Sequence, residues 1–409
     1  MNRRAPALGV VAIAVAASGC GREEPRARQT VVVDSSDVAI VTSDPLNSDR
    51  RCTVSQEPTF AVGEISGDER YEFFQVRGAG RLSDGSVAVA ERATADVRIF
   101  SPSGQHVRSM GGEGEGPGEF RNPYVLWVLP GDTLWIGDYR PPRYNVFTAE
   151  GEFVRSVQLH PLYANPSRGG GVLSNGYSVN VRSEGRASDY RTPRDVIVEV
   201  HGPDGILNET LRVLEGRRYG PPTGSMNLTL DPLFEAGPSV DAAGTTIAIS
   251  TGRDPEVQLV DEQLRLYRIV RWLDPERDVT SAHVRAWREE YLESREGAEG
   301  MAAEFTELTA GEDRPIADRF PTVSSLAVGR DGRIWVRRYP RPRESGGWMV
   351  FEPDGEFLCH LGPVPGLGVY EFGADYLLGT RRDSLDVESV VMFDLHPPPD
   401  PVSELPGGS

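Results

Sequence analysis

Apolar and polar positions alternate along most of this chain in short runs, each opened and closed by turn residues. Val87–Ser109, VAVAERATADVRIFSPSGQHVRS, laid over Leu134–Ser156, LWIGDYRPPRYNVFTAEGEFVRS, aligns without a gap. Phe100 meets Phe147, Gly104 meets Gly151, and Val107-Arg108-Ser109 meets Val154-Arg155-Ser156. An extended chain points successive side chains to opposite faces, so each segment reads as three consecutive strands broken by two polar turns.

The opening of this pattern, a turn residue followed by alternating apolar positions, recurs through the chain. The copies begin at Asp84-Gly-Ser-Val-Ala-Val89, Gly131-Asp-Thr-Leu-Trp-Ile136 and Asn175-Gly-Tyr-Ser-Val179, then at Ala243-Gly-Thr-Thr-Ile-Ala-Ile249, Asp331-Gly-Arg-Ile-Trp-Val336 and Gly373-Ala-Asp-Tyr-Leu-Leu378. Their glycines lie 46, 45, 68, 88 and 41 residues apart, the long gaps holding insertions near 217–233 and 273–319. Four-stranded units at this period predict an all-β fold of six units spanning 56–396, a six-bladed β-propeller. The last unit supplies only three strands, and Thr59–Ile65 is a spare strand upstream of the first. Pairing the two closes the ring and removes its exposed edges.

The stretch GGEGEGPGEF at 111–120 has the glycine content of a phosphate-binding loop, but Glu113, Glu115 and Glu119 would repel a phosphate. No Gly-Lys-Ser/Thr follows, and the chain has no Lys. GGEGEGPGEFRNP (111–123), with LWIGD and YNVFTAEGEFV after it, resembles the NHL repeat, in which a Gly-rich link joins consecutive blades. The resemblance is clear over about 73–159 and implies a six-bladed propeller with four-stranded, NHL-like blades. The glycines are then a joint between blades.

At the N-terminus, Met1-Asn-Arg-Arg4, the apolar run Ala7–Ala17 and Ala17-Ser18-Gly19-Cys20 resemble a bacterial lipoprotein signal, with Ala17 where Leu is usual. The run is too short to span a bilayer. Residues 1–19 are expected to be the signal, with Cys20 the lipid-attachment site, 20–55 a flexible tether and 397–409 a disordered tail. The expected location is the bacterial cell envelope, facing the periplasm or exterior, with the membrane as a partner through the lipid. An ordinary secretory signal with an incidental Cys is the alternative. Cys52 and Cys359 would then share an oxidising compartment, where they either pair as a disulfide or stay as buried thiols. Cys52 precedes the closing strand and Cys359 sits on the outer strand of the fifth unit, which makes them neighbours in the expected ring.

Charge narrows the function. The net charge of −18 argues against nucleic acid, whose backbone demands clustered positive charge. The six His stand singly, and neither His-Glu-x-x-His, Gly-x-Ser-x-Gly nor Cys-x-x-Cys is present, so no catalytic residue is assigned. Some six-bladed relatives are calcium-dependent lactonases; by that resemblance Glu91, Asp138 and Asn180, at second-strand ends, are possible calcium ligands, with caps of turns as the alternative. No resident cofactor is otherwise expected.

All 43 basic residues are Arg, and their distribution is uneven. The loops joining second to third strands (91–98, 138–143, 182–194, 251–255, 337–345, 380–386) hold 15 Arg and 9 acids in 48 residues. These loops share one face of the expected ring, so an acidic disc would carry a basic mouth that draws anions. Arg140, Arg143, Arg337, Arg338, Arg341, Arg381 and Arg382, with Tyr139 and Tyr339, are the candidate ligand residues, guanidinium for an anion and rings for stacking. Pairing of these arginines with neighbouring acids is the competing expectation. Within 273–319, Val284, Trp287, Tyr291 and Leu292, then Met301, Phe305 and Leu308, fall at helical spacing. They predict two short helices between the fourth and fifth units, a lid, a partner-docking hairpin or a cover for apolar edges. The function read from the sequence is non-catalytic binding of an anionic small molecule, a saccharide or an envelope protein through the Arg-rich face. A metal-dependent hydrolase or lactonase working in the central channel is the alternative.

Overall fold

A computed structural model describes residues 30–35, 37–139, 142–161, 170–185 and 189–399. The signal and its Cys20, Arg140 and the last ten residues of the C-terminal tail lie outside the described residues.

The chain begins with β1 (Val31–Ser35), β2 (Val38–Ser43), β3 (Arg51–Val54) and β4 (Phe60–Val62). The first two units follow, β5 (Val76–Arg81) to β8 (His106–Gly111) through β6 (Val87–Glu91) and β7 (Asp96–Phe100), then β9 (Pro123–Leu129), β10 (Thr133–Tyr139), β11 (Pro142–Phe147) and β12 (Phe153–Gln158). The third comprises β13 (Gly170–Val172), β14 (Ser178–Glu184), β15 (Pro193–His201) and β16 (Leu207–Arg218). The fourth comprises β17 (Ser239–Ala243), β18 (Thr246–Ser250), β19 (Glu256–Asp261) and β20 (Leu266–Trp272). Two helices, α1 (Ser281–Glu293) and α2 (Met301–Ala310), intervene. The fifth unit is β21 (Val323–Val328), β22 (Ile334–Arg338), β23 (Trp348–Phe351) and β24 (Phe357–Leu361), and the last is β25 (Leu367–Phe372), β26 (Tyr376–Arg382) and β27 (Glu388–His396).

Within each unit successive strands pair antiparallel, and β4 completes the last by pairing with β27, Val62 opposite Val390. The fold is thus mainly β and propeller-like. Its hydrogen bonding does not divide into six separate sheets: β13 pairs parallel with β17, and β3 sits between β24 and β27, leaving sheets of ten, nine, four and four strands. Burial follows a ring. Separate apolar clusters lie between the first and second units (Ile99, Phe120, Ile136), the second and third (Trp135, Val172), and the third and fourth (Val198, Ile247). Further clusters lie between the fourth and fifth (Leu259, Val336), the fifth and sixth (Trp335, Leu377), and the sixth and first (Leu378, Val89). Each sheet offers an apolar residue to both neighbours because both of its faces are covered.

The Gly-rich link is a joint. Gly111 has φ 88°, and a Cβ there would lie 2.5 Å from the Phe120 ring, which is fully buried between the first two units. The stretch read as a tether differs from expectation: it carries β1 to β3. β2 adds to β20 in parallel, and β3 brings Cys52 into a disulfide with Cys359, Cα–Cα 5.6 Å. The Val-Val-Val of 31–33 is a strand with alternation too weak to show, since all three side chains are exposed.

The helical insertion covers apolar surface. Thr280 caps α1 by accepting from the His283 N–H, and Val284 and Trp287 pack with Leu233, Phe234, Phe320 and Tyr339. Of the rest of the expected apolar face, Tyr291, Phe305 and Leu308 are half-buried, while Leu292 is 49% and Met301 72% exposed.

Candidate functional site

The alternation of β-strands decides which arginines face what. In β22, Ile334 and Val336 point into the cluster shared with the fourth unit, which sends Trp335 and Arg337 to the face toward the sixth. In β26, Leu378 faces the first unit and Leu377 the fifth; Arg381, four residues on from Leu377, shares the face toward the fifth. In β21, Leu326 and Val328 face the fourth unit, so Ser325 and Ala327 face the sixth, and Ser325 lies directly opposite Arg337. In β17, Val240 and Ala242 face the third unit, which turns Asp241 toward the fifth.

These side chains border a cavity of about 430 Å³ between the fifth and sixth units, lined by Asp241, Ser325, Arg337, Trp348, Val364 and Tyr370 among others. Arg337 and Asp241 are the charged residues of its lining. Arg337 is exposed, and among the described residues its guanidinium has no hydrogen-bond or ion-pair partner. Arg381 is likewise without one; it stands opposite Leu367, which lines the cavity, with its stem against Gly366. At the other end the Val328 N–H donates to Asp241 Oδ2 at 2.7 Å. Burial pushes the Asp241 carboxyl up to about 7, against the opposing pull of the Val328 and Ala242 N–H groups. A carboxyl so placed is a proton donor below that pH and an acceptor above it.

The other described candidate arginines are engaged. Arg143 is buried, donating to the Glu115 and Glu119 carbonyls and lying 3.4 Å from Asp138. Arg338 pairs with Glu344 at 3.5 Å, and Arg341 lies 4.0 Å from Asp274 and 3.9 Å from Glu276. Arg382 bonds Asp386 and Glu388. Tyr339 is committed to the apolar patch under α1, and Tyr139 packs edge-on against Tyr124 at 6.0 Å. Most of the described candidates are therefore engaged, and among them Arg337 and Arg381, beside the cavity, keep an open guanidinium.

The candidate metal ligands serve the links. Glu91 accepts from the Phe74, Gln75 and Ala93 N–H groups, and Asp138 from those of Arg121 and Asn122. Asn180 bonds Tyr144, Ser178 and His201 inside the second–third interface. Among the described residues no three His, Cys, Asp or Glu side chains converge as a metal group. Asp241 was missed by sequence reasoning. Its signal was an acid within Ser239-Val-Asp-Ala-Ala243, the innermost strand of its unit.

No protein-family model matches the chain, and no curated protein does either. Among solved structures it is similar to a Bacteroides fragilis protein at 12% identity, covering 88% of this chain and 100% of that one, TM-score 0.49. It is also similar to a member of the DUF4221 family from Bacteroides vulgatus (10% identity, 86% and 100% covered, TM-score 0.47). A third is virginiamycin B lyase from Staphylococcus aureus (10% identity, 82% and 98% covered, TM-score 0.38).

Proposed function

We propose that this protein is a six-bladed, NHL-like propeller over 56–396 that binds an anionic ligand where its fifth and sixth blades meet. The single observation that carries the reading is Arg337, an exposed, partner-free guanidinium lining a 430 Å³ cavity, with Arg381 beside it. Cavities of this size suit small molecules, and a guanidinium without a carboxylate partner can give its full fork to an incoming carboxylate or phosphate. The lipoprotein-like start supports a lipid anchor on Cys20 and residence at the cell envelope, with the membrane as the partner through the lipid.

The test is thermal unfolding of the protein in inorganic phosphate against chloride, at low and high ionic strength. Phosphate is expected to raise Tm at low salt, the gain fading with salt and vanishing in Arg337→Ala/Arg381→Ala. A phosphate effect untouched by that double substitution would place the anion elsewhere and overturn the reading.

A further inference from the structure

The cavity extends beyond Arg337, and its lining carries features that a simple anion does not use. Trp348, Leu361, Val364, Leu367 and Val369 give it an apolar side, which faces a polar side of about equal extent. Ala327, on the face of β21 toward the sixth unit, lines it with a short side chain. Ser325 Oγ, opposite Arg337, has no partner among the described residues. Asp241 adds a carboxyl held by the Val328 N–H. A polar saccharide would leave hydroxyls unpaired along the apolar side, whereas an apolar body would cover it and leave the polar side to a charged head.

We propose that the cavity takes an amphiphilic monoanion, with its anionic head on Arg337 and Ser325, an apolar ring or chain against Trp348, Leu361 and Val369, and a carbonyl accepting from Asp241. The proposal rests on the reading of Arg337 as an anion site and deepens it to a ligand class. One charge is the fit because Arg337 is the one cationic residue of the lining. Asp241 donates only while protonated, and burial keeps it so up to about pH 7. The groups facing it do not compete for that proton: Gly170 of β13 and Ala248 of β18 stand in register with it, Val328 of β21 offers its N–H, and Arg337 is the other charged group of the lining.

Calorimetric titration of the full chain near neutral-to-acid pH tests this with para-acetylphenylpropanoate as the probe. Its ethyl analogue lacks the carbonyl, ethylacetophenone lacks the carboxylate, and acetate lacks the body. The acetyl acid should bind most tightly, Arg337→Gln should weaken it roughly tenfold, and Ala327→Phe should abolish binding of both aryl acids by filling the space. Raising the pH to about 8.5 should erase the advantage of acetyl over ethyl, and Asp241→Asn, which still donates, should keep it at both pH values. Acetate binding as tightly as the aryl acids, with the same dependence on Arg337, would overturn the ligand class while leaving the anion site standing. Aryl binding indifferent to Ala327→Phe would overturn it as well. Failure of every probe, acetate and phosphate included, would remove both the site and the class.

Discussion

Arg143 and Arg337 both lie at the junction of second and third strands, in the second and fifth units, and the fold treats them in opposite ways. Arg143 is buried, its guanidinium spent on the Glu115 and Glu119 carbonyls and on Asp138. That site is a knot: Asp138 also takes the Arg121 and Asn122 N–H groups, so one carboxylate fixes the incoming link and orients the arginine. Arg337 has no such carboxylate at its own strand end and faces a cavity. Arginine content therefore reports charge, while availability is set by what the neighbouring link brings with it.

Breaking the knot should have the largest effect. Asp138→Ala leaves two link N–H groups without their acceptor and a buried guanidinium without its counter-charge, a loss of about 3–4 kcal/mol in urea unfolding. An effect as small as that of a surface substitution would show that the link is held by other means. The disulfide comes next. Cys52 and Cys359 tie β3 to β24, the strand whose end, Leu361, walls the cavity. Cys52→Ser/Cys359→Ser should cost about 3 kcal/mol and raise hydrogen exchange in β3 and β24 before it does so in the second unit. Uniform loosening across both units would deny that the clamp is local.

Asp241 gives a pH signature that the knot does not. Its folded pKa, about 7, lies above the unfolded value near 3.8, so the folded chain binds more protons between the two. Its contribution therefore opposes the fold increasingly as pH climbs from about 4 through 7, and the full penalty remains above. Asp241→Asn should remove this slope and stabilise the protein by about 2 kcal/mol near pH 8.5, less than a full three-unit shift because the cavity admits water. Stability profiles of the two proteins that stay parallel from about pH 5 to pH 8.5 would contradict the assignment. Smallest of all, Arg337→Ala should change stability by less than about 0.5 kcal/mol, because it breaks no bond.

The repeat was legible because both faces of the inner strands are covered, so they read as short, nearly unbroken apolar runs between turn residues, as in Val87–Glu91 and Leu134–Tyr139. The closing strand was legible as a spare in the count, and β4 does pair with β27. The first strands were not, since β1 is exposed on every residue and β3 has four residues wedged between two units far away in sequence. The site was half legible. Arg337 and Arg381 stood among the candidates, but nothing local separates Arg337 from Arg338, which alternation turns to the opposite face and Glu344 engages. Asp241 escaped because its meaning comes from Val328, which lies 87 positions away and donates to it.

Arginine footprinting tests the central claim most directly, with phenylglyoxal as reagent and peptide mass spectrometry as readout, in the presence and absence of phosphate. The account predicts that Arg337 and Arg381 react fast and are slowed by phosphate, while Arg143 reacts only as the protein unfolds. Equal reactivity of Arg337 and Arg143, or an Arg337 rate that phosphate leaves unchanged, would contradict it.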